Sequence, residues 1–320
     1  MAGGLGMLGF IGLAKESSGG VPVAAEAYIE ALSESIVLEF ERIETTNLAG
    51  TITEPDDYLG AARVSGDIVM AADPITLGHF LRCAIGDPVT TQVVTGDLYS
   101  HSFKPTNVSH WDGRFAQQPL TVEVFRDVGS AQQYTGVNVN NLTLSAAFNQ
   151  DLRLTASILG VGATDIAKGT PSFVGSPVDP FGFDTASLSI AGAANTDVES
   201  FTMSFANNLE TVGTLANKRF PHKIRRAGFM QPRFEMVVSF EDLTNLNRFR
   251  NQTEVAMALN FARANSFGLT IDIPRAIYTA FPTGVGGRGR QTATITGMMR
   301  YHAGSGTALE MKLQTTQSAY

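Results

Sequence analysis

Cysteine is nearly absent: Cys83 is the single thiol in 320 residues. One thiol cannot close an intrachain disulfide, and with five scattered histidines it cannot supply a Cys-rich zinc site. Charge is scarce at 17%, and 23 basic residues face 30 acidic ones, for a net charge of −7. A protein that coats nucleic acid needs the reverse balance, because its affinity rests on neutralising phosphates. No apolar run approaches the roughly 20 residues that cross a bilayer as a helix, so no membrane partner is expected. Met1 to Ala14 is apolar, but no basic residue precedes Lys15, and Gly3, Gly4, Gly6 and Gly9 disfavour a helix. The n-region of a secretory leader is therefore missing, and synthesis in the cytosol is expected.

What is present points to strands. Apolar residues reach 43%, and glycine fills 32 positions. That composition suits a packed, loop-rich core better than a disordered chain. Apolar and polar residues alternate in stretch after stretch, the period of a strand with one buried face. Ile36, Leu38 and Phe40 form one such face, and Ile68, Met70 and Ala72 another. Leu142, Leu144, Ala146 and Phe148 lead through Asn149-Gln150-Asp151 to Leu152, Leu154, Ala156 and Ile158, a hairpin apolar on one side. Later faces include Phe201, Met203 and Phe205, then Phe234, Met236, Val238 and Phe240. Strands of this kind belong to antiparallel sheets packed face to face.

Helical signals are few. Asp73-Pro74 reads as an N-cap followed by a first-turn proline, with Leu77, Phe80, Leu81 and Ala84 at helical spacing and Gly86 as the stop. A second short helix begins at Asp242, with Leu243, Leu246 and Phe249. Between them, Gly169 to Phe183 carries Pro171, Pro177 and Pro180 and reads as a linker.

The two halves resemble one another. Glu34 to Phe40 matches Glu199 to Phe205 at an offset of 165. Ile68-Val69-Met70 and Asp73 match Val237-Val238-Ser239 and Asp242 at an offset of 169. The expected fold is mainly β: two tandem β-sandwich or barrel-like domains, each flanked by a short α-helix. The expected boundaries are a flexible N-terminal arm at 1–20, a first domain at 21–168, a linker at 169–183 and a second domain at 184–320.

Chemical motifs fail on context. Gly4-Leu5-Gly6-Met7-Leu8-Gly9 and Gly284-Val285-Gly286-Gly287-Arg288-Gly289 both fit G-x-G-x-x-G. Neither sits between a strand and a helix, as a dinucleotide site requires. His79, His101, His110, His222 and His302 share no metal-ligand spacing, and no Gly-x-Ser-x-Gly turn presents a nucleophile. No catalytic residue, cofactor or metal is expected.

Several short segments, in order along the chain, resemble a known family. They are Lys15 to Pro22, Ser33-Glu34-Ser35, the Asp73-Pro74 helix, Tyr99 to Phe103, Tyr134 to Leu144, Val198 to Phe201 and Asn207 to Glu210. Together they resemble the tail tube proteins of long-tailed bacteriophages with non-contractile tails, in their larger duplicated form. The resemblance implies a structural virion protein, assembled in the host cytoplasm, whose rings stack into a hollow tail around a tape-measure protein and deliver the genome. Two domains per chain would give a trimeric ring imitating a hexamer, and a single tube domain would give a true hexamer. Tail tip and terminator proteins are the further partners implied, with DNA in transit through the lumen. The alternative is the inner tube of a contractile tail or of a secretion-type injection machine. The net charge of −7 would suit an acidic lumen that repels phosphate.

Charge in the long loops supplies candidate contact residues. Glu41, Glu44, Glu54, Asp56 and Asp57 follow the first matched strand, whereas Lys218, Arg219, Lys223, Arg225 and Arg226 follow the second. Opposite signs at matching places of a repeat would suit contacts between neighbouring subunits or rings. The apolar arm, for its part, is expected to order only against a neighbour, so deleting residues 1–14 should leave the monomer folded.

Overall fold

A computed structural model describes residues 5–45, 47, 52, 53, 56–94, 98–105, 118–173, 179–216, 218–263, 266–282 and 289–320. The first half runs β1 (Phe10–Lys15), β2 (Ala27–Ile29), β3 (Ala31–Glu34), β4 (Val37–Glu44), β5 (Asp57–Ala71), α1 (Leu77–Ile85), β6 (Val89–Val94), β7 (Leu98–Phe103), β8 (Leu120–Phe125), β9 (Ala131–Ala147), β10 (Arg153–Gly160) and β11 (Gly162–Ile166). The second half runs β12 (Ala186–Ile190), β13 (Ala193–Asn195), β14 (Val198–Ala206), β15 (Leu209–Val212), β16 (Lys223–Arg226), β17 (Gln231–Ser239), α2 (Thr244–Arg250), β18 (Val255–Ala262), β19 (Gly268–Ala280), β20 (Thr292–Met299) and β21 (Glu310–Thr315).

The protein is mainly β, and the described strands pair antiparallel. One large sheet runs in the order β4, β5, β10, β9, β14, β17, β20, β19, with β3 also on β5. Two further sheets branch from its long strands. β9 also carries β8, β1 and β2 on one side and β11 on the other. β19 also carries β18, β12 and β13 on one side and β21, β7 and β6 on the other. β9 changes partners around Gly136, whose φ of 59° lies in the left-handed region that glycine tolerates. One apolar core spans both halves, joining Val64, Leu142 and Leu154 to Phe201, Met236 and Ile295. The chain shows no clear division into two domains.

The expected hairpin forms as β9 and β10, with Leu144 opposite Leu154 and Leu142 opposite Ala156. Phe148 leaves that face: it lies past the end of β9, exposed, with its ring edge-on to Phe183. Both helices also form. Asp73 Oδ1 accepts the N–H groups of Ile75 and Thr76 at 2.7 and 3.1 Å, and Gly86 closes α1 by donating to the Arg82 carbonyl at 2.9 Å. Asp242 caps the start of α2 through the Thr244 N–H at 2.8 Å.

Four expectations need correction. Phe10 to Lys15, placed in a flexible arm, form β1 between β2 and β8, and Leu13 and Ala14 are core. Residues 1–4 of that arm lie outside the described residues. Of the Ile36, Leu38 and Phe40 face, Ile36 is buried but Phe40 is exposed, because β4 runs beyond the layer that would cover it. The end of the proline-rich segment is fastened rather than loose. Phe181 is fully buried, donates to Ala72 O at 3.0 Å and accepts from Leu152 N–H at 2.7 Å. Pro177 and Gly175 of that segment lie outside the described residues. Lastly, the offset of 169 sets buried Ile68 against half-buried Val237. Core alternation and strand register match Ile68 to Val238, one residue later.

Candidate functional site

The candidate charged residues that the structure describes sit on two hairpins. β4 and the start of β5 form the first, from Glu39 opposite Arg63 to Glu44 opposite Asp57. Nearly every side chain on β4 is exposed on both faces, including apolar Phe40 and Ile43, with Tyr58 and Leu59 exposed on β5. A two-stranded ribbon of this kind is marginal in water by itself. β15 and β16 form the second hairpin, pairing Leu209 with Arg226 and Val212 with Lys223.

The fold brings these hairpins together within one chain. The Ala62 N–H donates to the Arg219 carbonyl at 2.9 Å. A groove between them is lined by Glu41, Ile43 and Leu59 from the first and Thr211, Leu215 and Phe220 from the second. Several candidates are already engaged. Arg42 bridges Asp57 at 2.8 Å, and Arg63 bridges Glu41 at 3.1 Å. Arg226 is half-buried and donates to Asn207 Oδ1 at 2.9 Å, and burial lowers its pKa. Asn207 in turn donates to the Ala84 and Val139 carbonyls, both at 2.9 Å, which ties the second hairpin to α1 and β9. Glu44, Asp56, Lys218, Arg219 and Arg225 are exposed, and Lys223 is half-buried. Glu54 lies outside the described residues.

Two buried clusters escaped the charge pattern. Glu16 is fully buried. Its carboxylate accepts Gly20 N–H at 2.7 Å, Thr121 Oγ1–H at 2.8 Å and Gly136 N–H at 2.8 Å. Burial pushes its pKa up while these donors pull the other way. The second cluster surrounds Tyr320, whose hydroxyl donates to Ile75 O at 2.9 Å. His79 and His101 lie edge-on to its ring at 5.1 and 4.9 Å between centroids, and a Cβ at Gly78 would overlap that ring. In the sequence Glu16 falls within the segment Lys15 to Pro22, and nothing in the local pattern marks Tyr320.

Neither cluster is laid out for catalysis. His101 Nε2 lies 2.8 Å from Gln317 O and Nδ1 lies 2.8 Å from Thr90 Oγ1, so both nitrogens serve packing. His302 joins a turn with Ser305, and His110 lies outside the described residues. No three His, Cys, Asp or Glu side chains converge on a metal position among the described residues. Cys83 is buried, and burial pushes its thiol up to about 12, far from a nucleophile's range. Of the two glycine motifs, the first forms a short 3-10 turn at Gly6–Leu8 before β1, and residues 284–288 of the second lie outside the described residues.

The family model for phage tail tube proteins matches residues 6–299, nearly the whole chain. No curated protein matches the chain. The chain therefore belongs to the phage tail tube protein family: it is a structural component of the virion tail and not an enzyme.

Proposed function

We propose that this chain polymerises into stacked rings that form the hollow tail tube through which the genome leaves, each chain supplying two tandem tube units. Three chains would then close a ring of pseudo-sixfold symmetry. The observation that carries this reading is a pairing order that occurs twice. β1 and β2, β8 on β1, β9 on β8, β11 on β9, β10 on β9 and β5 on β10 have counterparts in β12 and β13, β18 on β12, β19 on β18, β21 on β19, β20 on β19 and β17 on β20. The helices α1 and α2 follow β5 and β17 in the same place. On this reading the first unit spans about residues 10–166 and the second about 186–315, joined edge to edge by β9 on β14.

That internal joint supplies a template for the joint between chains. The large sheet ends at β4 on one side and at β20 with β19 on the other. Such edges are open to pairing, and a closed ring removes them from solvent. The exposed apolar side chains of the first hairpin would be covered by a neighbour in the same or the next ring. A tape-measure protein inside and tip and terminator proteins at the ends are the partners this architecture calls for. Electron microscopy of purified, concentrated chain tests the reading. Hollow tubes with three chains per ring are expected. Six chains per ring would retain the tube but remove the duplicated unit, and a monomer that never assembles would overturn both.

A further inference from the structure

The large sheet has two chemically different faces. One is core, carrying Leu142, Leu154, Phe201, Met203 and Phe234. The other is built mostly from small hydroxyl side chains. Across β10, β9 and β14, Thr155 stands beside Thr143 and Thr143 beside Ser204, and in the next row Ser145 stands beside Thr202. Ser157 extends the same face one row on. All six are half-buried rather than covered. The charged side chains in these rows, Asp67, Arg153, Arg233 and Glu235, cancel in sign. The net charge of −7 is therefore carried elsewhere.

We infer that this face is the wall of the channel, and that the wall is a neutral hydroxyl surface rather than an acidic one. The inference rests on the tube reading and adds which face turns inward and what chemistry it offers. One physical feature selects the face: the opposite one is filled by the apolar core and cannot reach solvent. The ligand class that passes over this wall is a polyanion with a phosphate backbone. Serine and threonine hydroxyls carry no fixed charge and release no counterions when phosphate passes, whereas each added cation would contribute counterion-release attraction and make the wall sticky.

Because Cys83 is buried and its thiol is pushed up to about 12, an introduced cysteine is a clean reporter. In Thr202→Cys chains the free subunit should react with both a small maleimide and a long-chain polyethylene glycol maleimide. In assembled tubes the small reagent should still react, while the bulky one should lose most of its labelling. Ser187→Cys, at an exposed position on β12 away from this face, should keep the bulky label in tubes if it lies on the outside. Tubes built from chains carrying both Thr143→Lys and Thr202→Lys should retain double-stranded DNA at low salt and release it at high salt, unlike the parent. Tubes in which the bulky reagent labels Thr202→Cys as fully as in the free subunit would overturn the assignment of the face. Lysine tubes that hold no more DNA than the parent would overturn the assignment of its chemistry. A parent chain that makes no tubes would instead remove the assembly reading beneath both.

Discussion

Two imidazoles and a phenol meet where the segment after β21 crosses α1, and their burial makes this region sensitive to pH. His79 has its pKa lowered by burial, and by the nearby positive charge of Arg82, to about 4; burial also lowers that of His101. In the unfolded chain both would bind protons from about pH 6.5 downward. The unfolded state therefore takes up more protons in the window between that value and the folded pKa, so stability falls as pH drops through it. Glu16 works in the opposite sense, since its folded pKa is raised and acidification relieves its buried charge. Thermal melts of unassembled chain should show lower stability near pH 5 than near pH 7, and His79→Phe should shrink that difference. An unchanged difference in the variant would place the sensitivity elsewhere. Phe80, 1% exposed beneath the same helix, gives a simpler expectation. Phe80→Ala should cost about 3–5 kcal/mol in denaturant unfolding, the range for a buried phenylalanine.

Among the elements, β1 shows most clearly what the sequence could and could not reveal. Phe10-Ile11-Gly12-Leu13-Ala14 has no alternation, because the strand is central, with β2 and β8 on its two sides and most side chains buried. Such a strand is indistinguishable by period from an apolar arm. Strands with one polar face, such as β14 and β17, were legible because half of each stays hydrated. The caps at Asp73 and Asp242 were legible because they depend on local spacing alone. The joining of the two hairpins was not, since it rests on the Ala62 and Arg219 backbone groups far apart in sequence. The consequence for β1 is a changed truncation result. Removing residues 1–9 should leave the circular dichroism melt close to that of the parent. Removing residues 1–14 exposes the edges of β2 and β8 and takes Leu13 from the core, so that chain should fail to fold cooperatively. Leu13→Ala alone should cost about 2–5 kcal/mol. A folded 1–14 deletion would show that β1 is dispensable.

At the scale of the whole molecule, the opposite charges of the two hairpins lead to one further prediction. Within the chain the second hairpin already lies against the first, and the pairs Arg42 with Asp57 and Arg63 with Glu41 are internal to the first. If the internal joint between units is copied between chains, the first hairpin of one chain meets the second hairpin of its neighbour. Acidic and basic hairpins would then alternate around the ring, each between two of opposite sign. The residues placed to act there are the exposed ones without an ion pair among the described residues: Glu44, Asp56, Lys218, Arg219 and Arg225. Arg226 is not among them, because its bond to Asn207 ties the second hairpin to α1. Arg226→Glu should therefore lower the stability of the single chain. Lys218→Glu with Arg225→Glu should leave the melt of the single chain unchanged and slow tube formation measured by light scattering. One exposed pair contributes only about 0–1 kcal/mol, so a measurable effect requires the repetition of the contact around every ring. Raising salt should weaken parent assembly for the same reason, since exposed charges are screened over about 10 Å at 0.1 M. Adding Glu44→Lys and Asp56→Lys to the reversed chain should restore part of the rate, because the sign pattern is then inverted rather than broken. If assembly ignores both salt and the reversals, the hairpins meet through Phe40, Ile43 and Leu59 alone, and charge plays no part in choosing the neighbour.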